Sequence, residues 1–333
     1  MLPYLFIIIL HHTLFWSHSG RNIMQVEAEL AEIGPPKDML LTIGVFDGVH
    51  LGHKYLVSQL KERARQQNLL SGVITFRQHP RAVLSSRAEL PYLTSLDEKV
   101  SLLKNEGVDR VITLSFTDEL AKLSARQFVG LLHKHLGMRG LLIGADFVLG
   151  RNREGNIGTL RKLGQEMGFS VDAVSPVKVK GQVVSSTVVR DALGKGDMNK
   201  VTSLIGRPFG LQGRVTKGAG RGAGLGFPTA NLDIDPKQLL PADGVYATRA
   251  YIDDKTYPSV TNIGKNPTFG AGSRTVETHI LNYQGNLYGR ELKIDIVERL
   301  RGEKRFNNVE ELKKQMTADV KQGEEILESL VTK

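Results

Sequence analysis

Apolar and polar positions follow two different rhythms along this chain. Between residues 39 and 174, short apolar runs alternate with segments whose apolar residues recur every three or four positions. The runs MLLTIGVF (39–46), SGVITF (71–76), VDRVITL (108–114), GLLIGAD (140–146) and SVDAV (170–174) predict strands. Tyr55, Leu56, Leu60 and Ala64 make a helical stripe after the first of them. LDEKVSLLKNEG (96–107) predicts a helix ending at Gly107, and SARQFVGLLHKHLG (124–137) one with Ser124 as N-cap and Gly137 past its end. A further helix is expected around Leu160 to Met167. Strands alternating with helices predict a doubly wound parallel sheet covered on both faces. Its ligand belongs beyond the carboxyl ends of the strands.

After about residue 206 the texture becomes glycine-rich, in GLQGRVTKGAGRGAGLGFPTANLDI (210–234). Short strand candidates follow: GVYATRAYI (244–252), YPSVTNIG (257–264), TVETHIL (275–281) and ELKIDIVERL (291–300). Turn residues between them predict an antiparallel barrel or sandwich. Asn307 or Asn308 then caps a final helix, with Val309, Leu312, Met316 and Val320 at helical spacing. The expected division is an extension outside the fold (1–23), a first domain (24–190), a helical linker (191–205) and a second domain (206–333). MQVEAEL, from Met24, alternates like a strand.

The 333 residues hold no cysteine, which excludes thiolate nucleophiles, disulfides and cysteine metal sites. A formal charge of +9 favours anionic partners. No basic block stands out, so phosphorylated small molecules are expected rather than nucleic acid. YLFIIILHHTLFW (4–16) is short for a membrane span and lacks a positive flank. The expectation is a cytoplasmic protein without a membrane partner, its oligomeric state open.

GVFDGVHLGH (44–53) leaves the first strand and enters the first helix. Backbone N–H groups and a helix dipole of roughly half a positive charge meet an anion at such a turn. Gly48 and Gly52 permit close approach of a phosphate, and His50 and His53 are candidate donors to its oxygens. In VVSSTVVRDAL (183–193), Ser185, Ser186 and Thr187 precede a short helical pattern with Arg190 one turn on. That is either a second anion cradle or simple helix capping.

No Walker A pattern occurs in the sequence. The glycine-dense GAGRGAGLGFPTANL (218–232) fits either a phosphate-wrapping loop or a loop with no ligand. Thr229 and Asn231 are hard oxygen donors two apart on an extended chain, suited to Mg²⁺. Glu277, inside the apolar VETHIL (276–281), is either on an open sheet face or a base in a site.

GVFDGVHLGH with SSTVVR (185–190) resembles the paired motifs of the H-x-G-H nucleotidyltransferases, a Rossmann-like α/β fold. TFRQHP (75–80) and GADFVLGRNREG (144–155) narrow the likeness to the FMN adenylyltransferase module of the prokaryotic bifunctional riboflavin kinase/FAD synthetase. FPTAN (227–231), GVYA (244–247), NIGKNPTF (262–269), VETHIL and RLRGEKRF (299–306) resemble its riboflavin kinase module, a small antiparallel barrel. The resemblance implies two activities: ATP phosphorylates riboflavin to FMN, and a second ATP adenylates FMN to FAD. It implies that Gly48, Gly52, His50 and His53 handle the α-phosphate and the departing pyrophosphate. Ser185, Ser186, Thr187 and Arg190 would hold the β- and γ-phosphates, and Asp146, Phe147 and Arg153 would line the flavin side. In the second module it implies Mg²⁺ on Thr229 and Asn231, Glu277 as proton acceptor, and a loop with Gly218, Gly220, Arg221 and Gly226 over the phosphates. Leu149 stands where the family usually has an aromatic, and Asn266 where some members have arginine. The rival expectation is a nucleotidyltransferase for another phosphorylated substrate with an accessory barrel; FPTAN with VETHIL argues against it.

Overall fold

A computed structural model describes residues 24–34, 37–84, 90–218, 220–265 and 274–330. The expected N-terminal extension and Asn266 lie outside these residues.

The first element corrects an expectation. Gln25–Ala31 is a helix, α1, and not a strand. The alternating Val26, Ala28 and Leu30 also place Val26 and Leu30 four apart on one helical face, and both are buried. Packing against a neighbouring helix decided between the two periods.

In chain order there follow β1 (Met39–Ile43), α2 (Leu51–Gln66), β2 (Leu70–Phe76), α3 (Pro80–Leu84), α4 (Leu96–Asn105), β3 (Arg110–Leu114), α5 (Asp118–Lys122), α6 (Ala125–Leu136), β4 (Met138–Gly144), α7 (Ile157–Met167) and β5 (Ser170–Val174). The five strands form one parallel sheet in the order β3-β2-β1-β4-β5. Met39, Leu41 and Ile43 of β1 face a core shared with α1, α6 and α7, while Leu40 faces the core of α2 and α4. Strand order reverses between β1 and β4, so their following loops part and open a crevice. Ser124 caps α6 with a capping box, and Gly137 ends it in the left-handed conformation, as its sequence predicts.

The chain then forms a small hairpin, β6 (Lys178–Val179) and β7 (Gln182–Val183), followed by α8 (Ser186–Lys195) and α9 (Met198–Ile205). α8 runs through the expected boundary at residue 190. Its Val189, Ala192 and Leu193 share a core with α9 and the second domain.

That domain holds β8 (Phe209–Thr216), α10 (Arg221–Gly224), β9 (Ala230–Asp233), β10 (Gly244–Ile252), β11 (Lys255–Lys265), β12 (Arg274–Ile280), β13 (Glu291–Arg301) and α11 (Val309–Ser329). The strands close into a barrel, β10-β11-β12-β9-β8-β13, which resolves the choice between barrel and sandwich. β8 and β9 come from the glycine-rich stretch; Phe209, Leu211 and Val215 face inward along β8. Asn308 caps α11. The expected apolar stripe of α11 is corrected: Asp319, Gly323 and Leu327 are its buried positions, and Val309 is exposed. A glycine at 323 lets the helix lie close on the barrel, since a Cβ there would stand 3.0 Å from Val260.

The two domains meet along a seam. Tyr92 N–H donates to Lys237 O at 2.8 Å, and Leu239 N–H donates back to Tyr92 O at 2.8 Å. Among the described residues no helix is long and apolar enough to cross a membrane.

Candidate active sites

β1 ends at Ile43, three residues earlier than its apolar run, because the chain turns sharply. Phe46 (φ 53°), Gly48 (φ 82°) and Val49 (φ 37°) all lie in the left-handed region. A β-branched residue with such φ is strained, and strain of this kind persists only where surroundings impose it. The surroundings here are specific. Thr75 Oγ1 and Lys99 Nζ donate to Val45 O at 3.0 and 3.2 Å. Gly48 N–H donates to Thr94 Oγ1 at 3.2 Å, and Leu93 and Thr94 N–H donate to Asp47 Oδ1 at 2.8 and 3.3 Å. A Cβ on Gly48 would lie 2.8 Å from Leu93 Cδ1 and would sit at a φ of 82°, so any other residue would displace Leu93 and strain the backbone.

His50 caps α2, its Nδ1 accepting from His53 N–H at 3.3 Å. With Nδ1 accepting, the neutral ring carries its proton on Nε2. The two imidazoles stack 3.6 Å apart, and His53 also meets Phe46 at 5.0 Å. Burial pushes His50 down to about 4. Burial, with His50 and Lys99 nearby, holds His53 well below the ordinary range. Among the described residues, His53 Nδ1 is buried and meets no hydrogen-bond partner. Burial thus favours the neutral form of both rings, and a nearby anion would favour the protonated form.

The second cradle arrives at this turn. Ser186 Oγ donates to Asp47 O at 3.0 Å, bringing the start of α8 beside the start of α2. Ser185 caps α8, accepting from Val188 N–H at 3.4 Å, while Thr187 is exposed. Arg190 forms an ion pair with Asp47 Oδ2 and donates to Pro91 O. In the structure Arg190 thus holds the turn rather than pointing freely at a ligand.

The third expected group lies after β4. Phe147 N–H donates to Gly144 O at 3.1 Å, and Leu149 bridges Gly155, closing the loop that carries Asp146 and Arg153. Phe147 and Leu149 pack on the sheet core, whereas Asp146 and Arg153 are exposed. Lying beyond the carboxyl end of β4, this loop leaves the same edge of the sheet as the His50 turn, which follows the neighbouring parallel β1.

In the barrel, Asn231 on β9 lies directly opposite Glu277 on β12, and Glu277 lies opposite Asn262 on β11. Directly opposed residues project to one face, so the three form a row. They line a cavity of about 630 Å³ together with Gly220, Gly222, Phe227 and Thr229. Leu312, Met316 and Val320 of α11 line its other wall, so the stripe absent from the barrel core faces this cavity. A second cavity of about 510 Å³ lies alongside, lined by Pro228, Thr229, Thr278, Tyr283, Leu287 and Tyr288; Thr229 borders both. The glycine loop touches the row directly: a Cβ on Gly218 would fall 2.1 Å from Asn231 Nδ2. Gly220 and Gly226 have φ of 69° and 89°. α10 begins at Arg221.

Several site residues escaped sequence reasoning. Lys99 is buried under the His50 turn, donating to Phe76 O at 2.9 Å, and burial pushes it down to about 8. A lysine on the apolar face of a predicted helix was the available signal. Arg301 pairs with buried Asp319 through Nε and Nη2 at 3.0 and 2.8 Å, fixing α11 over the cavity. Gln315 adds a bond to Asp319 at 2.9 Å. Nothing local marks either pairing.

The FAD synthetase family model matches residues 33–188, and the riboflavin kinase family model residues 205–327. The bifunctional riboflavin kinase/FMN adenylyltransferase of Escherichia coli (strain K12) is 38% identical over 287 residues, covering 86% of this chain and 91% of its own. Its counterpart in Pseudomonas fluorescens is 38% identical over 300 residues, covering 89% and 96%. A solved structure described as a macrolide-efflux protein from Streptococcus pneumoniae superposes with a TM-score of 0.82 at 29% identity, over 89% of this chain and 96% of that one.

Proposed function

The chain belongs to the bifunctional riboflavin kinase/FMN adenylyltransferase family and carries both activities, and from that premise we propose how its residues divide the two reactions. In the barrel, the riboflavin 5′-hydroxyl oxygen attacks the γ-phosphorus of ATP, the bond to ADP breaks, and Glu277 takes the hydroxyl proton. Riboflavin occupies the larger cavity, its ring against Leu312, Met316 and Val320, and the nucleotide enters the smaller one. Thr229, on the border of both, stands where the phosphates pass. The loop of Gly218, Gly220, Arg221 and Gly226 closes over them.

Thr229 and Asn231 fit Mg²⁺, which takes one or two protein oxygens and fills its remaining positions with phosphate oxygens and water. Their oxygens are hard donors beside Glu277 in the cavity row, and Gly218 leaves room that a Cβ would fill. Bound there, the ion would neutralise phosphate charge.

In the first domain an FMN phosphate oxygen attacks the α-phosphorus of ATP, and the bond to pyrophosphate breaks. His50 Nε2–H and His53 donate to the oxygens that gain charge, and the N-termini of α2 and α8 face the phosphate chain. Ser185, Ser186 and Thr187 supply the second helix start. Arg190 pairs with Asp47 at the turn and reaches the phosphates if that pair opens. Asp146, Phe147 and Arg153 flank the flavin.

The observation that carries this reading is the presence of two separate phosphate-handling constellations, one at the sheet's switch point and one in the barrel row. Partners are riboflavin, FMN and ATP, and the cytoplasm is where we place the enzyme, with modules at 24–190 and 206–333 joined through 191–205. Chromatography of products from riboflavin, ATP and Mg²⁺ tests it: FMN should appear first and FAD after it. Product formation confined to one step would overturn the division.

A further inference from the structure

Arg207 stands at the junction, after α9 ends at Ile205 and before β8 begins at Phe209. Its Nη1 donates to Gly48 O at 3.1 Å and to Val49 O at 3.4 Å. The guanidinium is largely buried, with Glu98 of α4, Asp295 of β13 and Glu106 as the carboxylates around it. Asp295, on the barrel wall, accepts from Tyr251 Oη at 2.6 Å, and its charge acts on the guanidinium through space.

The two carbonyls it holds belong to the strained part of the histidine turn. A trans peptide is planar, so the Val49 carbonyl and the His50 N–H point in opposite directions. Holding the Val49 oxygen toward the junction therefore fixes the direction of the His50 N–H at the start of α2. A second link acts alongside. Tyr92 is clipped to residues 237 and 239 of the barrel domain, and the next two residues, Leu93 and Thr94, hold Asp47 and Gly48. The turn is thus braced from the barrel side at two places.

We propose that Arg207 is a positioning residue for adenylyl transfer: the junction supplies it, and it keeps the histidine turn in shape when the polyphosphate arrives. The inference rests on His50 and His53 being the adenylyl-transfer site.

Arg207→Lys and Arg207→Met in the full chain test it, with both reactions and thermal unfolding measured. The kcat of FMN adenylylation should fall about 10–100-fold, the cost of a slight misplacement of reacting groups. KM for ATP should stay within about threefold and FMN formation within about twofold. Lysine should retain more activity than methionine, because an ammonium still serves one carbonyl. Unchanged adenylylation overturns the proposal; so do losses of both activities that follow a lowered unfolding midpoint. His53→Ala separates the two levels. If adenylylation survives that change, the site reading fails. If it is lost while both Arg207 variants match the unaltered enzyme, only the positioning role fails.

Discussion

The two phosphate-handling regions are built by opposite means. At the switch point, the proposed chemistry sits on irregular backbone: Phe46, Gly48 and Val49 take left-handed φ, and Lys99, Arg190 and Arg207 hold the turn from behind. In the barrel, regular strand register carries it, since Asn262, Glu277 and Asn231 fall in one row simply by pairing. On the proposed reading, the first design makes adenylyl transfer depend on distant clamps. The second makes phosphoryl transfer depend on the side chains themselves, with α11 and the glycine loop completing the walls.

The largest effects should therefore separate cleanly. Glu277→Gln should lower FMN formation about 10²–10⁴-fold, the usual worth of a general base, while FAD still forms from supplied FMN. His53→Ala should lower FAD formation about 10²–10³-fold and spare FMN. Assays started from riboflavin or from FMN check both, and a single change that removed both activities from a folded chain would break the comparison.

Breaking the clamps comes next. Asp47→Ala leaves Arg190 buried without its carboxylate and should cost about 3–5 kcal/mol, read from denaturant unfolding. The Asp47 and Arg190 side chains are only 8% and 15% exposed. Asp319→Ala should cost less, about 1–3 kcal/mol, because Arg301 at 21% exposure can reach water. It should also raise KM for riboflavin, assigned in the proposal to the cavity that α11 walls.

Acid should discriminate between the modules. A histidine near 6.5 when unfolded and near 4 when folded binds its proton more readily in the unfolded chain. His50 thus contributes stability above pH 6.5 that is lost as pH falls from about 6.5 toward 4, and His53, shifted the same way by burial, acts in the same direction. The first module should unfold at a lower temperature at pH 5 than at pH 7.5 in calorimetry, and His50→Gln should flatten that dependence.

The smallest effects test the glycine loop. Gly222→Ala places a Cβ 2.4 Å from Phe227 O, so backbone must shift and KM for ATP should rise severalfold. Gly220→Ala meets open space but keeps φ at 69°, so about 1–2 kcal/mol of local strain should appear with a weaker effect on KM.

Much of this was legible beforehand because it is local. Strand and helix runs, the Ser124 and Asn308 caps and the histidine turn are written in residues a few positions apart. Elements failed where one pattern served two outcomes. Val26 to Leu30 fits either period, and the 210–234 stretch hides β8 and β9 behind its glycines.

Sequence by itself singled out the groups to which chemistry is assigned in the proposal: imidazoles at a strand-to-helix turn, a carboxylate within a strand, hydroxyl and amide two apart. Only the tertiary structure decided what surrounds them. Asp47 lies 143 residues before Arg190, and Gly48 159 before Arg207. Such pairings have no local signature, because burial and the cost of an unpaired charge select them only after the chain has packed. The same holds for α11, whose apolar stripe reads as core and faces a cavity, because a buried Asp319 and a close glycine at 323, on the adjoining stripe, dock the helix on the barrel.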